Sequence, residues 1–209
     1  MMKATFTFFI VLLLNFGLLA QNADIDLLKN INVNRNQNLD KPLKLVSESV
    51  YPISLATPIG MLGLGLIKHD KTLQKKGLVA LTSLTISMGT TYVLKRVIDR
   101  ERPSTTYPFI QPVIIETNGS FPSGHTTAAF STATSLTLAY PKWYVAVPAY
   151  TWASTVAYSR LHLGVHYPSD ILAGAVIGAS SAWLSHKANR WLQKRGTKAQ
   201  RKEGTEIQK

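Results

Sequence analysis

His166 and Asp170 stand four residues apart in the run Ser159-Arg160-Leu161-His162-Leu163-Gly164-Val165-His166-Tyr167-Pro168-Ser169-Asp170. Asp170 is the only acid between Glu116 and Glu203, and Arg160 the only Lys or Arg between Lys142 and Lys187. Pro168 favours a helix start at that point, so the Asp170 carboxylate can fold back towards the His166 ring. A carboxylate on one ring nitrogen sets the tautomer and leaves the other lone pair free to attack an electrophile. The same two residues could equally serve only to cap a helix.

Two further clusters carry complementary chemistry. Pro122-Ser123-Gly124-His125 opens an apolar stretch. A helix beginning there offers unpaired N–H groups and a positive dipole end to an anion. Ser123 adds a hydroxyl, Gly124 permits close backbone approach, and His125 is placed to protonate a leaving oxygen. Taken alone, the segment is also an ordinary Ser N-cap. Lys95-Arg96-Val97-Ile98-Asp99-Arg100-Glu101-Arg102-Pro103 supplies cations. Lys95 and Arg102 are seven apart, two turns if helical, and could point one way. Arg grips phosphate oxygens with paired donors, and Lys acts as a compact charge.

Helices must position these clusters. Uncharged stretches cover Tyr51–Ile67, Gly77–Leu94, Thr126–Pro141, Trp143–Ser159 and Ile171–Ser185. Each approaches the ~20 residues needed to cross hydrocarbon. They are rich in Thr, Ser, Ala and Gly, which suit close helix contact, and Gly174-Ala175-Val176-Ile177-Gly178 is a small-xxx-small pattern. A soluble bundle with buried helices is the rival architecture. The loops decide between them: Lys68, Lys71, Lys75 and Lys76, then Lys142, then the basic C-terminal tail all fall on one side of the membrane. That is the cytoplasmic side by the positive-inside rule. The three chemical clusters fall on the other side. A basic run there defies the charge trend and points to an anionic ligand.

The expected fold is all-α, a transmembrane bundle of five mature helices. Residues 1–20 read as a signal peptide or first transmembrane helix, with Lys3, an apolar run from Phe6 to Leu19, and Ala20 at the cleavage point. Residues 21–50 read as a polar external segment with at most a short amphipathic helix. Residues 51–186 form the functional domain. Residues 187–209 form a basic cytoplasmic tail, unfolded by composition after about Lys194.

Composition narrows the function further. The mean hydropathy of +0.05 hides this segregation of polar and apolar stretches. The chain has no Cys, which excludes disulfides, thiolate metal sites and a Cys nucleophile. The net charge of +12 might suggest nucleic acid, but half of it sits after residue 186, and no basic stripe interleaved with aromatics occurs elsewhere. No nucleic-acid partner is expected. A P-loop and an HExxH motif are absent from the sequence, and the Asn118-Gly119-Ser120 sequon is short enough for chance. His69 and His162 read as satisfied polar residues.

Lys95-x6-Arg102-Pro103, Pro122-Ser123-Gly124-His125 and Ser159-Arg160-x5-His166-x3-Asp170 together resemble the three-part signature of the type 2 phosphatidic acid phosphatase and vanadium haloperoxidase superfamily, over about residues 50–186. The resemblance implies a membrane lipid phosphatase working through a phosphohistidine, with no metal and no cofactor. It makes His166 the nucleophile, Asp170 its orienting partner and His125 the general acid. Lys95, Arg102 and Arg160, with Ser123 and the Gly124 amide, would bind the phosphoryl oxygens. The implied partner is a phospholipid, isoprenyl or glycolipid phosphate, selected in part by Tyr107–Phe121 as an external flap. A soluble acid phosphatase, a vanadate-dependent haloperoxidase and a non-catalytic phospholipid binder are the competing readings.

Overall fold

The computed structural model describes residues 23–206; the signal peptide or first-helix reading of residues 1–20 lies outside them. Helix α1 covers 23–32 and, after a 3-10 turn at Gln37–Leu39, α2 covers Asp40–Glu48. The bundle follows as α3 (Val50–Ile67), α4 (Lys71–Ile98), a short α5 (Pro103–Thr106), α6 (Gly124–Ala139), α7 (Trp143–His162) and α8 (Pro168–Glu206). Each of the five apolar stretches expected to be helical is one. Two segments among the described residues, Gln37–Ile67 and Lys71–Thr106, are long and apolar enough by composition to cross a membrane. In α6, α7 and α8 the Ser, Thr, Ala and Gly content dilutes the hydropathy.

The distribution of side chains is inverted relative to a water-soluble protein. The core joining α3, α4, α6 and α7 is built of Val50, Leu84, Ala128, Ala129, Ala133, Ala153 and Val156. Ser83, Ser87, Thr127 and Ser131 are buried beside it. Ser83 Oγ and Ser131 Oγ bond across α4 and α6 at 2.8 Å. The large apolar side chains face outward: Ile59, Leu66, Leu78, Val93, Val97, Val147, Leu172 and Leu184 are all exposed. Small residues inside and aliphatics outside suit a hydrocarbon solvent.

Helix α6 is the central element, and the small-xxx-small pattern explains how α8 reaches it. A Cβ on Gly174 would stand 2.7 Å from the Ser123 carbonyl oxygen, and one on Gly178 would collide with the Thr127 carbonyl. Only glycine allows this crossing.

Residues 21–50 are more structured than their polarity suggests. Ile25 and Leu28 of α1 pack with Ile110 and Tyr167 in a second cluster, and α2 buries Leu43. Asn32 clips three segments together, donating from Nδ2 to the carbonyls of His162 (2.9 Å) and Gln111 (3.1 Å) and accepting from Gln111 N–H (2.8 Å). At the other terminus α8 continues as helix to Glu206, where composition suggests an unfolded tail.

Local signals set the helix ends. The Asp70 carboxylate caps α4, accepting from Thr72 N–H (2.8 Å) and Leu73 N–H (3.1 Å). Helix α4 stops at Ile98 because Asp99 turns left-handed, with φ 42°. Lys95 and Arg102 therefore do not share one helix; Arg102 is the extended N-cap of α5, and a turn rather than helical periodicity brings it round.

Candidate active site

The N-termini of α6 and α8 and the C-termini of α4 and α7 meet at one end of the bundle, under α1, α2 and the segment between α5 and α6. A cavity of about 310 Å³ opens there. Lys95, Gly124, His125 and His166 line it, together with Tyr51, Glu116 and Asn118. Three clusters from distant parts of the chain thus converge.

Helix α8 begins at Pro168, so Asp170 occupies its first turn. The Asp170 Oδ2 accepts from Tyr167 N–H at 2.9 Å and stands 3.4 Å from His166 Nδ1. Asp170 Oδ1 accepts from Arg100 Nη1 at 2.8 Å. Arg100 in turn binds Asp24 Oδ2 (2.8 Å) and lies 3.8 Å above the Tyr167 ring. Asp24 also accepts from the Ser169 N–H (2.7 Å) and hydroxyl (2.5 Å), capping α8 from another helix. The imidazole of His166 is buried, with its Nδ1 fixed towards the carboxylate. Burial, reinforced by the charges of Arg160 and Arg102, holds His166 well below the usual imidazole pKa, so its ring is neutral at neutral pH.

The α6 end of the cavity is built by Ser123. Its Oγ is the N-cap acceptor for Thr126 N–H (3.4 Å), its N–H donates to the Asp170 carbonyl (3.1 Å), and Ser123 is fully buried. Ser123 therefore lies behind the cavity wall, while Gly124 and His125 form it. The His125 ring packs on Tyr51, centroids 4.8 Å apart.

The cations are already occupied. Glu116 ion-pairs with Arg102 Nη2 at 2.6 Å and with Arg160 Nη2. Arg102 further donates to the carbonyls of Asn118 (2.9 Å) and Val165 (2.7 Å), and Arg160 Nη1 to Ser47 Oγ (2.7 Å). Lys95 Nζ donates to the Gly119 carbonyl. Burial alone would raise the Glu116 carboxyl, but Arg160 and Arg102 overcome it and hold the pKa down at about 2. A carboxylate with two oxygens shared between two guanidiniums has the charge and shape of part of a phosphate.

His162, expected to be a satisfied polar residue, is so at one ring nitrogen only: Nε2 bonds to Asp40 Oδ1 at 2.8 Å, while the buried Nδ1 has no hydrogen-bond partner in the protein. Residues that the sequence reading did not single out are Asp24, Asp40, Ser47, Tyr51, Arg100 and Glu116. Arg100 and Glu116 had a visible signal, as ionisable groups in the basic cluster and the external flap. The others lie in or next to a segment read as peripheral.

A sequence profile described as the PAP2 superfamily matches residues 76–194. Lipid A 4'-phosphatase of Bacteroides thetaiotaomicron is 34% identical over 125 residues, covering 55% of this chain and 56% of that protein. Undecaprenyl-diphosphatase of Sulfolobus acidocaldarius is 33% identical over 119 residues, again 55% and 56%. The chain thus spans about half the length of these curated relatives. A crystal structure of a transmembrane PAP2 type phosphatidylglycerolphosphate phosphatase from Bacillus subtilis superposes with a TM-score of 0.69 at 27% identity, covering 82% of this chain and 86% of that one. With its three clusters joined at one end of a lipid-facing helical bundle, the chain belongs to the PAP2 superfamily and is a membrane protein.

Proposed function

We propose that this chain is a membrane phosphatase that hydrolyses a lipid phosphate or isoprenyl diphosphate through a phosphohistidine on His166. The observation that carries this reading is the Glu116 carboxylate held by Arg102 and Arg160 in the cavity wall beside a neutral, carboxylate-oriented His166. An anion seat next to a nucleophile is what phosphoryl transfer requires.

In the proposed cycle the phosphate displaces Glu116. Its oxygens are taken up by Lys95, Arg102, Arg160 and the Gly124 amide, while Ser123, assigned to the phosphate by the signature, supports that amide from behind as the cap of α6. The Nε2 lone pair of His166 attacks phosphorus in line, the bond to the leaving oxygen breaks, and His125 delivers a proton to that oxygen. Asp170 stabilises the charge that His166 acquires. Water, deprotonated by His125, then attacks phosphorus, the N–P bond breaks, and phosphate leaves with His166 restored. The positive charge that stabilises the transferring group comes from side chains, so no metal is assigned.

Relatives named for lipid A and undecaprenyl diphosphate support an amphiphilic phosphate as substrate. The outward aliphatic surface disfavours the soluble acid phosphatase alternative, and the His166–Asp170 pair disfavours a lipid binder without catalysis. Lysine placement supports a site on the external, periplasmic face of a bacterial-type inner membrane. The catalytic unit is residues 51–186, extended by α1 and α2.

Phosphate release from a panel of lipid phosphates in detergent, with EDTA present, tests the activity. Loss of turnover under chelation would sink the metal-free route. Because the chain lacks Cys, a single Cys at the exposed Ile115 reports sidedness with an impermeant maleimide.

A further inference from the structure

A second basic cluster lies at the far end of the bundle. Lys75 and Lys76 are twenty and nineteen residues before Lys95 along α4, and Arg190 is twenty after Asp170 along α8. At 1.5 Å per residue these spans are about 30 Å, the thickness of the hydrocarbon layer. This end carries aromatic residues suited to a headgroup boundary: Trp143, Tyr144 and Trp191 are exposed, and Lys76 Nζ sits 3.9 Å from the Tyr140 ring centroid.

Two cavities join there between α4 and α8, sharing Lys75, Val79 and Asn189. The first, about 260 Å³, is ringed by Lys75, Lys76, His186 and Arg190. The second, about 420 Å³, runs along the outer faces of α4 and α8 past Leu78, Ile86, Leu184 and Leu192, all of them exposed. The only acid among the described side chains at this end is Asp70, whose carboxylate is used by the α4 cap. Ser135 lines the first cavity and Ser185 the second. Both hydroxyls are buried and without a hydrogen-bond partner in the protein.

We infer that this crevice is a binding site for an anionic phospholipid of the leaflet opposite the candidate active site. Its phosphate would be held by Lys75, Lys76 and Arg190, with Ser135 as a hydroxyl donor, and an acyl chain would lie in the aliphatic groove. Charge complementarity selects an anionic headgroup, and continuity of the basic cavity with the groove selects a lipid over free phosphate. The inference rests on the bundle standing across a membrane but not on His166 being a nucleophile, since its readout is lipid retention.

Native mass spectrometry of delipidated full-length protein tests it, with phosphatidylglycerol, phosphatidylcholine or inorganic phosphate added. Phosphatidylglycerol should be retained one per chain and phosphatidylcholine should not, a comparison that needs no substitution. Each cation removed should weaken retention about fivefold, so K75Q/K76Q/R190Q should lose roughly a hundredfold, whereas R102Q at the opposite end should retain the lipid. Equal retention of phosphatidylcholine, phosphate bound as tightly as the lipid, a lipid-free dimer, or loss with R102Q but not with the triple substitution would each overturn the assignment.

Discussion

Glu116 Oε2 lies 2.6 Å from Arg102 Nη2, and its other oxygen is bound by Arg160, so one carboxylate satisfies both guanidiniums that the proposed cycle assigns to phosphate. The proposed anion seat is therefore filled by the protein itself. Glu116 sits on the segment between α5 and α6, outside the bundle.

Removing this carboxylate should expose the seat. With E116Q, buried cations lose their counter-charge, a change that costs about 3–5 kcal/mol in comparable buried pairs. The melting temperature should fall in phosphate-free buffer and recover when orthovanadate is added. Orthovanadate should also inhibit the variant at roughly tenfold lower concentration, since about 1.4 kcal/mol of competition is enough for that factor. Thermal unfolding with and without vanadate provides the check; a drop that vanadate leaves uncorrected would remove Glu116 from the anion seat.

H166A should reduce turnover to the uncatalysed background while the melting temperature stays near that of the parent. Alkaline quenching during turnover should trap a phosphorylated protein that acid hydrolyses, and H166A should yield none. H125A should lower the rate about a hundredfold or more, the usual loss on removing a general acid.

In the proposed mechanism Arg100 and Asp24 are positioning residues, bonded to Asp170 and to the start of α8. R100Q or D24N should reduce kcat by up to about a hundredfold, as expected when an orienting group shifts by an ångström. KM should change little, and R100K should restore part of the rate. Steady-state kinetics separate this outcome from general loss of folding, which would lower the active fraction without partial rescue by lysine.

The pH dependence has a defined sign. His166 is held below its ordinary 6.5, so the neutral ring is present at pH 6.5 and above, and in the proposed mechanism its protonation should limit kcat/KM only at more acid pH. Glu116 is lowered from 4.5 to about 2. A depressed carboxyl contributes stability that is present above pH 4.5 and is lost as pH falls towards 2. Denaturant midpoints across that range should decline for the parent and decline less for E116Q.

The helices and the three clusters were legible in the sequence because hydropathy, proline, N-cap residues and short motif spacings are local features. Pro168 opens α8 and Ser123 caps α6 where their residue types require. What escaped was non-local. Nothing near Asp24 in the chain announces that it caps α8, 145 residues away. The α1 and α2 segment looked peripheral because its buried face is narrow and its polar atoms are spent on distant partners, as with Asn32 and Ser47. The periodicity of Lys95 and Arg102 misled for a related reason: a left-handed Asp99 breaks the helix between them.

Gly178→Val should fail at the α6–α8 crossing, where an added Cβ meets the Thr127 carbonyl and stands 2.8 Å from Ser131 N. Overpacking of this kind costs about 1–3 kcal/mol, and backbone atoms have less room to yield than side chains. Thermal unfolding in detergent should show a lower midpoint, while Gly60→Ala, with open space around it, should be nearly neutral.

The same crossing divides the molecule mechanically. Gly174 and Gly178 lock the backbones of α6 and α8 together, and Ser123 N–H is tied to the Asp170 carbonyl at their shared end. His125 and Asp170 thus ride on one rigid body whose spacing is insensitive to what enters the cavity. Widening of the entrance falls to the pieces outside that crossing: α1, α2 and the stretch carrying Glu116, which is tied to α7 by Val113 N–H on the Leu163 carbonyl. On the proposed mechanism, alignment of His125 with Asp170 and admission of substrate therefore fall to different parts of the chain.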